Sequence, residues 1–170
     1  TAGFLGGWVD DVIRLAADVT LTIPALLVLI VLQSVLLRID IPTMAVLIAA
    51  FAWPRATRQI RSQVLSMRRS GYVRMARISG ASTFDIMFKE MLPNLIPYLF
   101  ASFIAGATGA ILAAVGLETL GLGPQNVPTL GSTIYDEIEF GTLSLNMWWR
   151  WGYPTLLLSP LFLGLFLINL

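Results

Sequence analysis

The sequence predicts an all-α, polytopic membrane helix bundle, and three observations carry that prediction. Of the 170 residues, 56% are hydrophobic and 12% charged, and the mean hydropathy is +0.78. A soluble globule of this length has too little interior to hide so much apolar surface. The charges are absent from four windows, residues 19–37, 41–53, 94–117 and 151–170. They are also sorted by sign: the net charge is only +1, yet residues 54–93 hold eight basic and two acidic groups.

Window 19–37 is 19 residues long. At 1.5 Å per residue it matches a hydrocarbon layer of about 30 Å, so a spanning helix is expected, with Pro24 near its first turn where a missing N–H costs least. Window 41–53 has 13 residues and spans only if extended through Pro54, Arg55 and Ala56. Trp53 suits the interface, and the arginine stem can reach the headgroups. Window 94–117 has 24 residues and carries Ala101, Ala105, Gly109 and Ala113 at four-residue spacing. That stripe is a candidate helix-packing seam, within the chain or toward a partner. Window 151–170 follows Trp148, Trp149, Trp151 and Tyr153, an aromatic belt at the membrane interface. Pro160 is expected to kink this fourth span.

The positive balance of residues 54–93 (Arg55, Arg58, Arg61, Arg68, Arg69, Arg74, Arg77 and Lys89 against Asp85 and Glu90) places that segment in the cytoplasm. Residues 118–150 then face outward, with Asp136, Glu137 and Glu139 as a candidate acidic docking surface or an ordinary solvated edge. Parity puts residues 1–18 inside, despite their three aspartates.

A plain connector needs only a handful of residues, whereas the cytoplasmic segment uses about forty. Ile60, Val64 and Met67 share a helical face, so the second span is expected to continue into the cytoplasm. Residues 72–79 form a short helix stopped by Gly80, which tolerates the left-handed conformation at a helix C-terminus. Ser82 is the N-cap of the next helix, with Asp85 in the capping-box position and Lys89 one turn further. Phe84, Met87, Phe88 and Met91 form an i, i+3, i+4, i+7 stripe, and Pro93 is expected to end that helix. A short helix so held is shaped to plug into a groove on another protein; the alternative is an amphipathic connector resting its arginines on anionic lipid.

Several function classes are excluded or disfavoured. With no cysteine and no histidine, disulfides, thiol nucleophiles, Ser-His-Asp triads and the usual zinc or haem ligation are ruled out. No metal site, catalytic site or nucleic-acid partner is expected. Lys89, the single lysine, lies outside any P-loop pattern, so no ATP is bound by this chain. No ionisable side chain occupies a window, which argues against an ion-coupled secondary transporter and against an intramembrane enzyme. A non-transport membrane scaffold stays open.

Residues 72–82, running Tyr72-Val73-Arg74-Met75-Ala76-Arg77-Ile78-Ser79-Gly80-Ala81-Ser82, followed by Ile86 and Leu92-Pro93-Asn94, resemble the EAA loop of ABC-importer permeases. Arg74 and Met75 stand at the motif's first two positions, where the family has Glu and Ala. Gly6-Gly7-Trp8-Val9-Asp10, Arg14, Asp18 and Pro24, then Trp53, Arg58, Arg61 and Gln63-Val64-Leu65, look like the second permease subunit of dipeptide, oligopeptide and nickel importers. Gly121-Leu122-Gly123, Pro128, Gly131, Trp148-Trp149 and Pro154 extend the likeness over nearly the whole chain.

The resemblance implies that residues 1–170 are one permease transmembrane domain, part of a six-helix protein with two spans upstream and a short tail downstream. It implies half of a pore, completed by a homologous permease subunit in the bacterial or archaeal inner membrane. Two cytoplasmic ATPase subunits carrying ATP and Mg, and an extracytoplasmic substrate-binding protein, are the implied partners. Peptides are the implied cargo, with nickel complexes or short sugars as alternatives. Residues 72–80 become the coupling helix, and Tyr72, Val73, Arg74, Met75, Ala76, Arg77, Ser79, Gly80, Ala81 and Ser82 its candidate ATPase-coupling residues. Tyr72, Met75, Ala76 and Ser79 are expected on the docking face and Arg74 and Arg77 on its rim.

Overall fold

A computed structural model describes residues 2–36, 40–124 and 126–169. Among these residues all regular structure is helical: α1 (Ala2–Leu5), α2 (Trp8–Thr22), α3 (Ala25–Val35), α4 (Ile41–Arg68), α5 (Gly71–Ile78), α6 (Thr83–Asp85), a π-helical turn (Ile86–Met91), α7 (Leu92–Leu117), a second π-helical turn (Glu118–Leu122), α8 (Leu130–Glu139) and α9 (Trp148–Ile168). Two compact units form, Thr1–Thr22 with Trp53–Phe103, and Ile23–Ala52 with Ile104–Leu170.

The first unit is built around the C-terminal half of α4. Its 60/64/67 face is buried: Val64 joins Phe4, Val73, Ile86, Met87, Met91 and Leu95 in one core, with Ile60 and Met67 against it. The opposite flank holds α2 by charge. Arg61 makes a two-point pair with Asp10, and Arg58 lies 3.8 Å from Asp18.

In the second unit Leu29 of α3, Met44 and Ile48 of α4, and Leu117 of α7 form the core, with Ala110, Ala113 and Ala114 packed on it. Past α7 the chain bends through Gly121, at φ 77°, into α8. Buried Glu118 accepts a hydrogen bond from the Gly131 backbone N–H at 3.2 Å. Gly131 is in the first turn of α8, where free N–H groups and the helix dipole favour a carboxylate. A Cβ on Gly131 would lie 2.5 Å from Glu118, and one on Gly123 would lie 2.8 Å from it. These glycines are therefore fixed by a close approach to one side chain.

Three expectations need correction. Window 19–37 is not one helix: residues 19–22 finish α2, the chain breaks at Ile23, and α3 begins after Pro24, which serves as its N-cap. Proline disfavours the helical conformation in the residue before it and supplies no N–H. Leu37 and Arg38 lie outside the described residues. Second, Pro93 does not end a helix, because Thr83–Leu122 runs on for 40 residues. The π-helical turn takes the Leu92 N–H to the Met87 carbonyl, and this wider turn accommodates the proline ring without stopping the chain. Third, the four apolar windows predict four spans. Among the described residues two helices, within Thr83–Leu122 and Trp148–Ile168, are long and apolar enough to cross a membrane, and a third is added if α2 and α3 together count as one span. Helix α4 has the length, with 28 residues and Pro54 inside it. Its charge-free part, however, covers only residues 41–53, and the arginines beyond lower its hydropathy. Helix α9 begins at Trp148 and stays helical through Pro154 and Pro160.

Candidate functional site

The segment from α4 to the first π-helical turn carries the densest set of local signals. Helix α5 starts at Gly71, with Ser70 as N-cap, and ends at Ile78. Gly80 has φ 78°. Its N–H donates to the Arg77 carbonyl at 3.1 Å, and the Ala81 N–H donates to the Ala76 carbonyl at 3.0 Å. Those two bonds are a complete Schellman closure, which satisfies carbonyls the helix end would leave unpaired. Ser82 caps α6: its Oγ accepts from the Asp85 N–H at 3.1 Å and donates to the Asp85 carboxylate. Asp85 then pairs with Lys89 one turn on. Only four residues separate the two helices, so the position of α5 is tightly determined.

One side of α5 is anchored. Val73 is fully buried, and Ala76 and Ala81 pack against the same core. The other side presents Tyr72, Met75 (64% exposed) and Ile78 (77% exposed). The expected docking face 72/75/76/79 is thus divided, with Ala76 inward and Tyr72, Met75 and Ser79 outward. Arg77, expected on the rim, has its guanidinium carbon 5.7 Å from the ring centroid of buried Phe4, and Arg68 stands at the same distance. Arg74 is exposed. Sequence reasoning passed over Ile78, although its three-residue spacing from Met75 was a usable signal. It also passed over Phe4, for which no local signal exists.

The 84/87/88/91 stripe is divided too. Met87 and Met91 are buried with Ile86, while Phe84 and Phe88 are exposed. A π-helical turn advances each residue less than 100°, so spacings that share a face in an α-helix separate here. Phe84 and Phe88 therefore extend the apolar surface outside the core.

The acidic set at positions 136, 137 and 139 is also split. Asp136 and Glu139 are exposed on α8, but Glu137 is buried and faces Arg150, with Nε 2.8 Å from Oε2. Glu137 therefore supplies no free charge to a docking surface. Nearby, the Glu139 carboxylate holds the Tyr135 phenol proton and raises its pKa above the usual tyrosine value. Of the small-residue stripe, Ala113 packs inside the second unit. Ala105 and Gly109 are exposed, and Gly109 has open space where a Cβ would stand. Among the described residues no group of three or more acidic side chains is placed to hold a metal ion.

Comparison with known proteins covers the full length of the chain. Residues 1–170 match the family described as binding-protein-dependent transport system inner membrane component. The chain is 29% identical over 168 residues to the oligopeptide transport system permease protein OppC of Lactococcus lactis subsp. lactis (strain IL1403), covering 98% of this chain and 57% of that protein. It is 31% identical over 161 residues to OppC of Mycobacterium tuberculosis (strain ATCC 25618 / H37Rv), covering 92% and 54%. With the dipeptide transport system permease protein DppC of Bacillus subtilis (strain 168) it shares 31% over 158 residues, 93% and 49%. The chain spans about half the length of these relatives. With its multi-pass apolar helices and a family match from end to end, the chain belongs to the binding-protein-dependent transport system inner membrane components.

Proposed function

We propose that this chain is the permease part of an ATP-driven, binding-protein-dependent importer, and that its cargo is a dipeptide or oligopeptide. Relatives that cover nearly all of the chain carry oligopeptide or dipeptide transport in their names. In this reading the chain forms half of a translocation pore with a homologous permease. Hydrolysis of ATP takes place on separate cytoplasmic subunits, and an extracytoplasmic protein delivers the cargo.

The observation that carries the coupling role is the two-sided environment of α5. Val73 and Ala76 fix it to α4 and to the turn at Ile86–Met91, while Tyr72, Met75 and Ile78 stand outward. A helix held rigidly on one side with an apolar face on the other transmits displacement as a lever, because the packed core moves as a body rather than deforming. Burying a Met or Ile side chain on a partner contributes about 1.5–3 kcal/mol, against about 0–1 for an exposed arginine pair. The joint is therefore apolar at its centre and charged at its edge.

Met75→Asp with Ile78→Asp, made in the full-length protein and purified with its ATPase subunits, tests this reading. The variant is expected to insert normally, to lose its ATPase subunits on purification, and to abolish uptake of a labelled tripeptide into vesicles. Wild-type recovery of the ATPase with normal uptake would overturn the coupling role, and uptake of a nickel complex in place of the peptide would overturn the cargo.

A further inference from the structure

Beside the face assigned to coupling, the first unit contains a cavity of about 350 Å³ bordered by Leu65, Arg68, Arg69, Val73, Arg74 and Arg77. Four of its six lining residues are arginines and none is acidic. Among the described residues none of the four takes part in a salt bridge; the cationic ends that do belong to Arg14, Arg58, Arg61, Lys89 and Arg150. Two of the four are pre-oriented, because Arg68 and Arg77 both stand 5.7 Å from the Phe4 ring centroid. That ring, buried by the core, steadies both cations at the border of one cavity, where an anion would offset their like charge. Val73, also in the lining, is fully buried in the core of the first unit, so part of the cavity wall is a packed surface.

We infer that this cavity binds a phosphate group carried by a soluble anion. Guanidinium groups present planar pairs of donors matched to phosphate oxygens, and convergence of several of them is the usual chemistry of phosphate recognition. The volume lies within the range of small-molecule sites. The position on α4 favours a soluble anion over a lipid headgroup. Arg68 is 13 residues past Arg55, and in a helix that is about 20 Å beyond the interface marked by Trp53 and Arg55. Arg68 closes α4 and Arg74 and Arg77 lie on α5, so an anion here bridges the two helices of the coupling segment.

The test uses the full-length protein in detergent at constant ionic strength, with inorganic phosphate as the probe. Arginine modification by phenylglyoxal is read residue by residue with mass spectrometry. At phosphate concentrations ten times its Kd, modification of Arg68, Arg69, Arg74 and Arg77 should slow about tenfold, while Arg14 and Arg58 react as before. Arg69→Gln with Arg74→Gln should weaken phosphate binding, measured by calorimetry, about tenfold or more; Arg150→Gln should leave it unchanged. The labelling arm uses only the wild-type protein and so stands even if the double variant does not fold. Absence of protection by phosphate, or equal protection of Arg14 and Arg58, overturns the inference. So does protection by phosphatidylglycerol vesicles alone, which assigns the cavity to a headgroup, or by a bound protein alone, which assigns it to an acidic partner surface.

Discussion

Arg61 and Asp10 are joined across 51 positions of sequence by two parallel hydrogen bonds, Nε to Oδ1 at 2.9 Å and Nη2 to Oδ2 at 2.7 Å. Asp10 is buried, while the Arg61 side chain retains 28% exposure. This pair ties α2 to the C-terminal half of α4, the same helix whose other face anchors α5.

Breaking that tie should loosen the first unit without touching α5 directly. Asp10→Asn is expected to cost about 1–3 kcal/mol, the range for a hydrogen bond to a charged group that keeps some contact with water. Arg61→Lys should cost part of that, because an ammonium cannot reproduce the two-point geometry. Thermal unfolding in detergent reads both, and unchanged midpoints would mean the pair contributes nothing.

Gly80 should matter through its backbone alone. A Cβ there meets open space, yet φ is 78°, so Gly80→Ala is expected to cost about 1–2 kcal/mol from conformation rather than collision. Gly80→Asn should cost less, since asparagine visits this region more readily. Gly80→Val is expected to leave membrane insertion intact while lowering ATPase recovery and uptake. Normal transport by that variant would contradict the coupling assignment.

Gly131 should fail for the opposite reason. Its φ is ordinary, but an added methyl would lie 2.5 Å from both Cβ and Oε2 of Glu118 and 3.0 Å from the Val115 carbonyl oxygen. Gly131→Ala is expected to destabilise the second unit by more than Gly80→Ala destabilises the first, at the upper end of the roughly 1–3 kcal/mol typical of overpacking. Combining it with Glu118→Gly removes the colliding side chain and should recover part of the loss. Additive midpoints in that double-mutant cycle would show that the two residues do not compete for space.

The acidic residues of α8 should separate into two kinds. Asp136→Lys, on an exposed position, is expected to change stability by no more than about 0.5 kcal/mol, and Glu139→Lys by about 1 kcal/mol because it also removes the acceptor of the Tyr135 hydroxyl. Glu137→Lys buries a cation against Arg150 and should be clearly destabilising, with the exchange Glu137→Arg/Arg150→Glu restoring part of it. If Asp136→Lys and Glu139→Lys also leave docking of the isolated binding protein unaltered, the acidic edge is only a solvated surface.

Much of the architecture is readable in the chain alone. The all-α membrane class comes from apolar windows that no water-soluble interior of this size could absorb. The continuation of α4 past Pro54, the inward 60/64/67 face, the stop at Gly80 and the cap at Ser82 are local matters. Each rests on periodicity or on the hydrogen bonds of a few neighbouring residues. Ala101, Ala105, Gly109 and Ala113 are visible as a stripe, though not which of them would be covered.

What the sequence determined by itself was composition, period and local capping, because those depend on residues within one or two turns. The break before Pro24, the passage of a 40-residue helix through Pro93 and the division of the 84/87/88/91 stripe depended on which backbone hydrogen bonds the surroundings would support. Only the tertiary structure turned Glu137 toward Arg150, placed Phe4 beneath Arg68 and Arg77, and brought Asp10 to Arg61. Those contacts join positions far apart in the chain, and no local period or cap records a meeting that exists only once the helices have packed.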